Sequence, residues 1–334
     1  METIGKLITL LDWAKSLDPD GRTAEVAELL SKTNPMLTTM PFKEGNLPTG
    51  HKTTVRAGLP TPTWRKLNYG VQPSKSLRAE VVDTCGMLEA RNHVDKDLAE
   101  LNGNTAAFRL SEALGEVEGM NQAMAETVFY GDTAVNPERF LGLTPRYNAL
   151  TGAPISQNVI TAGGASTDNT SVWLIAWGEN TIHGIFPKGS KAGLVHEDLG
   201  LQDVVDADGG YYRAYKDWWQ WKNGLCVRDW RYAVRICNVK IADLLALGST
   251  QALTAATSLI KLMIKAKHRL PYANVGTPVF YCNRTVRQML DIMALEKSSA
   301  ALSIREAAGQ FETNFLGIPV HTCDALVENE AAVS

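Results

Sequence analysis

An α+β architecture is expected from three features of this 334-residue sequence. A single long helical period runs from Asn104 to Tyr130, strand-like and turn-rich segments flank it, and the last third alternates helix with strand. Apolar residues make up 45% and charged residues 21% of the chain, so most of it should be ordered around a core and neither disordered nor fibrous. A chain of this length divides into two domains or forms one elongated body.

Residues 1–44 open with two short amphipathic patterns, Ile4, Leu7, Ile8 and Leu11, then Val26, Leu29 and Leu30 beyond the turn Asp18–Gly21. They predict a helical arm. Residues 45–79 change character: Thr, Gly and Pro recur, and strand-like pieces at Thr53–Val55 and Trp64–Leu67 flank Gly58–Pro62. That composition predicts a long, exposed, two-stranded loop. The loop carries Lys52, Arg56, Arg65, Lys66, Lys75 and Arg78 without one Asp or Glu, a basic projection on a chain of net charge −3.

The sign then reverses. Between Glu80 and Asp132 acidic residues, Glu112 and Glu116 among them, outnumber Arg91, Lys96 and Arg109. Within this region Ala107, Leu110, Leu114, Val117, Met120, Met124 and Val128 recur at helical spacing. Asn102 or Asn104 is placed to cap the start, and Gly131 to end the helix. At 1.5 Å per residue this helix is roughly 40 Å long, the length of a strut.

Beyond turns at Pro137, Pro145, Pro154 and Gly163-Gly164, the runs Val172–Trp177 and Thr181–Phe186 read as strands about Gly178–Asn180. Trp218–Lys222 and Leu225–Arg228 are separated by Asn223-Gly224, a pair that tolerates the positive φ of a type I′ turn, so a hairpin is predicted there. The last third predicts a helix over 250–268, a strand at Val279–Cys282, a helix after Asn283 and a strand over Leu316–His321. The resulting division is an arm (1–44), a loop (45–79), a domain over 80–240 holding the long helix and a β-ribbon at 211–239, and an α/β domain over 241–334.

No glycine-rich phosphate cradle, Gly-x-Ser-x-Gly elbow or His-Glu-x-x-His pair occurs, and no catalytic, cofactor-binding or metal-binding residue is assigned. Cys85, Cys226, Cys237, Cys282 and Cys323 lack paired spacing and read as reduced, mostly buried thiols. His93, Asp95 and Asp97 would share a face on a strand, as a metal-binding set does, but an acidic edge leading into the helix accounts for them. Asp206–Gly209 lacks the third acidic position and the closing Glu of a calcium loop, and reads as a surface turn.

Tyr211, Tyr212, Arg213, Trp218, Trp219, Trp221, Lys222, Arg228, Trp230, Arg231 and Arg235 interleave as on a nucleic-acid stacking surface. Tryptophans on the core face of a sheet, with arginines on the other, explain the same pattern. His51, His183, His196, His268 and His321 are scattered and receive no role. No apolar run is long enough to span a bilayer, and synthesis in the cytosol is expected.

The order of these parts, and the phrases Leu47–Arg56, Val94–Leu101, Phe129–Asp132, Gly184–Ser190, Val227–Arg231 and Leu316–Val320, resemble the major capsid proteins of tailed bacteriophages, short-tailed ones in particular. The resemblance implies a Hong Kong 97-like fold: N-terminal arm, extended loop, spine helix at 104–130, peripheral β-sheet domain and axial α/β domain. The ribbon at 211–239 precedes the axial-like segment, whereas that family returns to its sheet near the C-terminus, so rearranged connectivity is expected.

The resemblance further implies hexamers and pentamers of an icosahedral virion capsid around double-stranded DNA, assembled in the host bacterial cytoplasm. The chain would be a structural protein without cofactors and not an enzyme. Its partners would be its own copies, portal, scaffolding and cement or decoration proteins, and packaged DNA touched non-specifically, with no membrane. The short arm leaves scaffolding to a separate protein, and no crosslinking lysine is assigned. The subunit interface is placed on Lys52, Arg56, Trp64, Arg65, Lys66, Lys75 and Arg78 of the loop and on Glu112 and Glu116 of a neighbour's helix. A bacterial nanocompartment shell and an enzyme with a non-motif active site are the alternatives.

Overall fold

All nine residues of the strand Asn169–Trp177 are buried, and the fold is organised around it. A computed structural model describes residues 32–101, 103, 105–206, 208–245, 250–272, 275–295, 302–307 and 310–334. The arm patterns at Ile4–Leu11 and Val26–Leu30, and the capping residues Asn102 and Asn104, lie outside the described residues.

In chain order the elements are helix α1 (Met36–Thr39), strands β1 (Phe42–Glu44), β2 (Gly50–Gly58) and β3 (Leu77–Asp95), and helices α2 (Lys96–Glu100) and α3 (Thr105–Tyr130). Strands β4 (Val159–Thr161), β5 (Asn169–Trp177), β6 (Ile182–Phe186), β7 (Leu194–Val205), β8 (Tyr211–Val227) and β9 (Ala233–Lys240) follow. Then come α4 (Ile241–Leu245), α5 (Thr250–Lys267), β10 (Thr277–Cys282), α6 (Arg284–Leu295), β11 (Leu302–Ala307), β12 (Gln310–Phe315) and β13 (Ile318–Thr322). The main path of the sheet runs β11-β12-β13-β10-β5-β6-β8-β3-β2, with β9 also on β5, β4 on β9, β7 on β8 and β1 on β6.

Because alternate residues of a strand face opposite sides, β5 feeds two cores. Val172, Leu174 and Ala176 join β9, β10, β13, α5 and α6 in one. Trp173, Ile175 and Trp177 meet Met124, Val128 and Phe129 of α3, together with Phe140, Leu143 and Tyr147, in the other. A strand covered on both faces reads as a near-continuous apolar run, as Val172–Trp177 does. The sheet crosses the division drawn at 240/241, since β10 pairs directly with β5.

The hairpin expected at Asn223-Gly224 does not form. Both residues lie inside β8, where 214–224 pair with β3 and 224–227 pair with β6. Ladder hydrogen bonds on both sides outweigh a local turn preference. Gly224 serves close approach instead: a Cβ there would stand 2.6 Å from the Thr84 carbonyl oxygen. The turn comes earlier, between β7 and β8, where Asp206 Oδ1 accepts hydrogen bonds from the Asp208 and Gly210 N–H groups.

Helix α3 ends at Gly131 by packing and not by a left-handed residue, because a Cβ on Gly131 would lie 2.4 Å from the Phe140 carbonyl oxygen. Its C-terminal half buries Met120, Met124 and Val128 as expected. In the N-terminal half Phe108 is the buried residue, and Leu110 and Leu114, although they keep the helical spacing, are 62% and 51% exposed. Among the described residues, α2 and strands β3, β7 and β8 meet one side of that half, and the side bearing Leu110 and Leu114 is uncovered. The α5, β10, α6 and β13 assignments agree with the expected elements; the β11–β12 hairpin has no counterpart in the sequence reading.

Candidate assembly surface: the extended loop and the spine helix

Strands β2 and β3 pair antiparallel from Gly50↔Thr84 out to Gly58↔Leu77. One face of this hairpin is packed, with Thr53 and Asp83 buried; the other, bearing Lys52, Thr54, Arg56, Arg78, Glu80 and Val82, is exposed. Residues 59–76 form no strand, so the piece expected at Trp64–Leu67 is corrected: the outgoing loop strand begins at Leu77. Pro60, Pro62 and Pro73 lack the N–H that a ladder needs, and Asn68 adopts φ +64° in a turn closed from the Tyr69 N–H to the Lys66 carbonyl.

The outer part of the loop is bare. Trp64 is 100% exposed, Leu59, Leu67 and Tyr69 are exposed with it, and Arg65, Lys66 and Lys75 point to solvent among them. Arg56 and Arg78 are direct cross-strand partners, an arrangement of like charges that destabilises a hairpin. Of the six loop cations, Lys52 alone forms an ion pair among the described residues, to Glu80 at 2.7 Å. The tip is thus apolar and ringed by cations that form no ion pair among the described residues.

Helix α3 carries acidic and apolar residues on opposite faces: Leu110 and Leu114 lie on one, and Glu112 and Glu116 about 200° round the axis on the other. Glu112 and Glu116 are half-buried along the helix half that exposes Leu110 and Leu114. Arg109 anchors this half to the ribbon, donating to Asp198 Oδ1 at 2.8 Å and Asp217 Oδ1 at 3.0 Å with its guanidinium 4.9 Å from the Tyr215 ring centre. Asp217 in turn holds His196, which stacks on Trp219. The Asp198 and Asp217 carboxylates raise the Arg109 pKa, the Asp198 hydrogen bond most, against the opposing effect of burial.

The other candidate residues resolve into structural roles. Trp219 and Arg235 are each 2% exposed, inside the fold and not on a stacking surface. Arg235 donates to Glu330 Oε2 at 2.9 Å and to the Tyr147 carbonyl, clipping the tail to the core. Asp95 caps α2 by accepting from the Asp97 N–H at 2.8 Å, and Asp97 lies in that helix and not on the strand that carries His93. The five cysteines are free thiols; burial pushes Cys85 up to about 11 and Cys226, Cys282 and Cys323 up to about 12.

A family model of the major capsid protein GP7 matches residues 18–334. The chain belongs to the major capsid protein GP7 family. It is therefore a structural protein that assembles with its own copies into a phage capsid shell. As a GP7-family chain it is similar to a chain of the bacteriophage Epsilon15 structure, with 38% identity, TM-score 0.77 and coverage of 100% of this chain and 99% of that one. The bacteriophage JBD30 capsid is a more distant likeness, at 10% identity and TM-score 0.47 over 92% of this chain and 99% of that one. The SrpI encapsulin of Synechococcus elongatus PCC 7942 stands at 10% identity and TM-score 0.42, over 65% of this chain and 91% of that one. No curated protein matches the chain.

Proposed function

We propose that residues 45–79 of each subunit lie across the exposed half of α3 on a neighbour, within hexamers and pentamers of an icosahedral shell that encloses double-stranded DNA. The observation that carries this reading is the loop itself: Trp64 fully exposed, and Arg56, Arg65, Lys66, Lys75 and Arg78 without an ion pair among the described residues. Glu112 and Glu116 supply the opposite charge on one face of the helix, and Leu110 and Leu114 an apolar contact on the opposite face, so the loop straddles the helix. Exposed ion pairs contribute about 0–1 kcal/mol each, so charge sets register while repetition around a closed ring supplies the effect.

In this reading residues 1–44 are an arm, 80–240 a peripheral domain and 241–334 an axial domain, sharing the continuous sheet described above. Assembly takes place in the host cytoplasm with portal, scaffolding and cement or decoration proteins, and the packaged DNA is touched non-specifically by a chain of net charge −3. Negative-stain microscopy of the expressed protein, with and without a scaffolding protein, should give uniform polyhedral particles; monodisperse monomers under both conditions would overturn the reading. Co-purifying cargo protein in place of DNA would favour a nanocompartment.

A further inference from the structure

Two cross-strand pairs meet where the extended loop joins the body. His51 of β2 stands opposite Asp83 of β3, and His183 of β6 stands opposite Cys226 of β8. One nitrogen of each histidine and the Cys226 sulfur all lie within 4.8 Å of one another. His183 is 2% and Cys226 0% exposed, and neither ring nitrogen of His183 has a hydrogen-bond partner. The Gly178 backbone approaches that ring without reaching bonding geometry. Asp83, 3% exposed, accepts a hydrogen bond from Arg146 at Oδ1, 2.7 Å away, and leaves Oδ2 buried and unpartnered.

A buried imidazole with both nitrogens unsatisfied is costly unless something is bound to it. Neutral imidazole is the form that binds a metal, and burial, then the neighbouring His51, holds the His183 pKa down to about 4. His51 is likewise lowered, chiefly by burial. Two imidazoles and one sulfur form a borderline-soft donor set suited to zinc, with Asp83 beside Cys226 to balance charge.

We propose that His51, His183 and Cys226 bind one zinc ion, which ties the root of the extended loop to the body of the subunit. With bonds of about 2.0–2.1 Å to nitrogen and about 2.3 Å to sulfur, ligand atoms in a tetrahedral site lie about 3.3–3.6 Å apart, so these three, now within 4.8 Å, close by at most about 1.5 Å on binding. The Cys226 S–H bond breaks, its proton leaves to solvent, and the thiolate pair forms the bond to the metal. The 3.7 Å contact between Thr53 Oγ1 and Cys226 Sγ, and the long 3.3 Å hydrogen bond from the Asn46 N–H to His51 Nδ1, are the interactions given up or redirected. A water or Asp83 completes the fourth position.

The test titrates the purified full-length chain with cobalt(II), which reports thiolate ligation by its charge-transfer absorption. One equivalent per chain with that band is expected. Cys226→Ser should lose the band and His183→Ala should weaken binding by more than about tenfold, while Cys237→Ser, a buried thiol outside the cluster, should leave both unchanged. A wild-type chain without the band, or a band that survives in Cys226→Ser, overturns the proposal. Should the variants fail to fold, X-ray absorption of the zinc-loaded wild type decides: one sulfur and two imidazoles support the site, and a sulfur-free shell sinks it. Metal binding is read on the subunit, so its failure is separate from any failure to form particles.

Discussion

Arg56 and Arg78 face each other across the exposed side of the β2–β3 hairpin. Like charges directly opposite on a sheet oppose pairing by roughly 0.2–1 kcal/mol. Arg78→Glu should therefore raise the urea midpoint of the isolated subunit while lowering particle yield. A variant that gains stability and still assembles at the wild-type level would remove the pair from the interface.

Arg65→Glu with Lys66→Glu reverses two exposed charges that form no ion pair among the described residues. Circular dichroism and the thermal midpoint should stay unchanged, and sedimentation should show assembly abolished. Full particle yield from this double variant contradicts the proposed register.

Leu110 and Leu114 are exposed in the subunit, and substitution away from a packed site shifts stability by about 0.5 kcal/mol or less. Covered in a shell, each leucine, already about half buried in the subunit, contributes about 1–2 kcal/mol more. Replacing both with Ser should leave unfolding curves superimposable and raise the protein concentration needed for assembly. Equal effects on both measurements would place these leucines in the subunit's own core.

These assignments show where the sequence was legible. Strand β5 and the second half of α3 bury the residues their periodicity names, because packing there covers the element fully. Leu110 and Leu114 follow the same period but have no covering surface among the described residues. Asn223-Gly224 carried a strong local turn signal that pairing with β3 and β6 overrode. The His51, His183 and Cys226 cluster had no signal, since three strands far apart in sequence bring it together only through register.

Glu330 and Arg235 form a buried pair, with side chains 5% and 2% exposed, and removing one partner strands the other charge. Glu330→Ala should cost about 3–5 kcal/mol in chemical denaturation, and Arg235→Met with Glu330→Leu should recover much of that loss. A loss under about 1 kcal/mol for the single variant would show that the tail is not clipped as described.

Burial alone would raise the Asp324 carboxyl, but the Arg284 guanidinium and the Thr33 N–H outweigh it and hold the pKa below the usual Asp range. The stability Asp324 contributes is thus present above the ordinary value of about 3.9 and fades as pH falls through the lower folded value. Asp324→Asn should lower the thermal midpoint at neutral pH and narrow its gap to wild type in acid. A gap that widens on acidification has the wrong sign.

Strand β3 runs unbroken for 19 residues, from Leu77 in the loop to Asp95, whose side chain caps α2 immediately before α3. At about 3.3 Å per residue it spans roughly 60 Å. It is a lever. In the proposed register, a partner that grips the loop at Trp64 would exert a torque carried along this beam to the start of the helix on which another subunit's loop would rest. Each subunit would then be geared to the next, and a change in shell curvature would have to turn all the levers of a ring together.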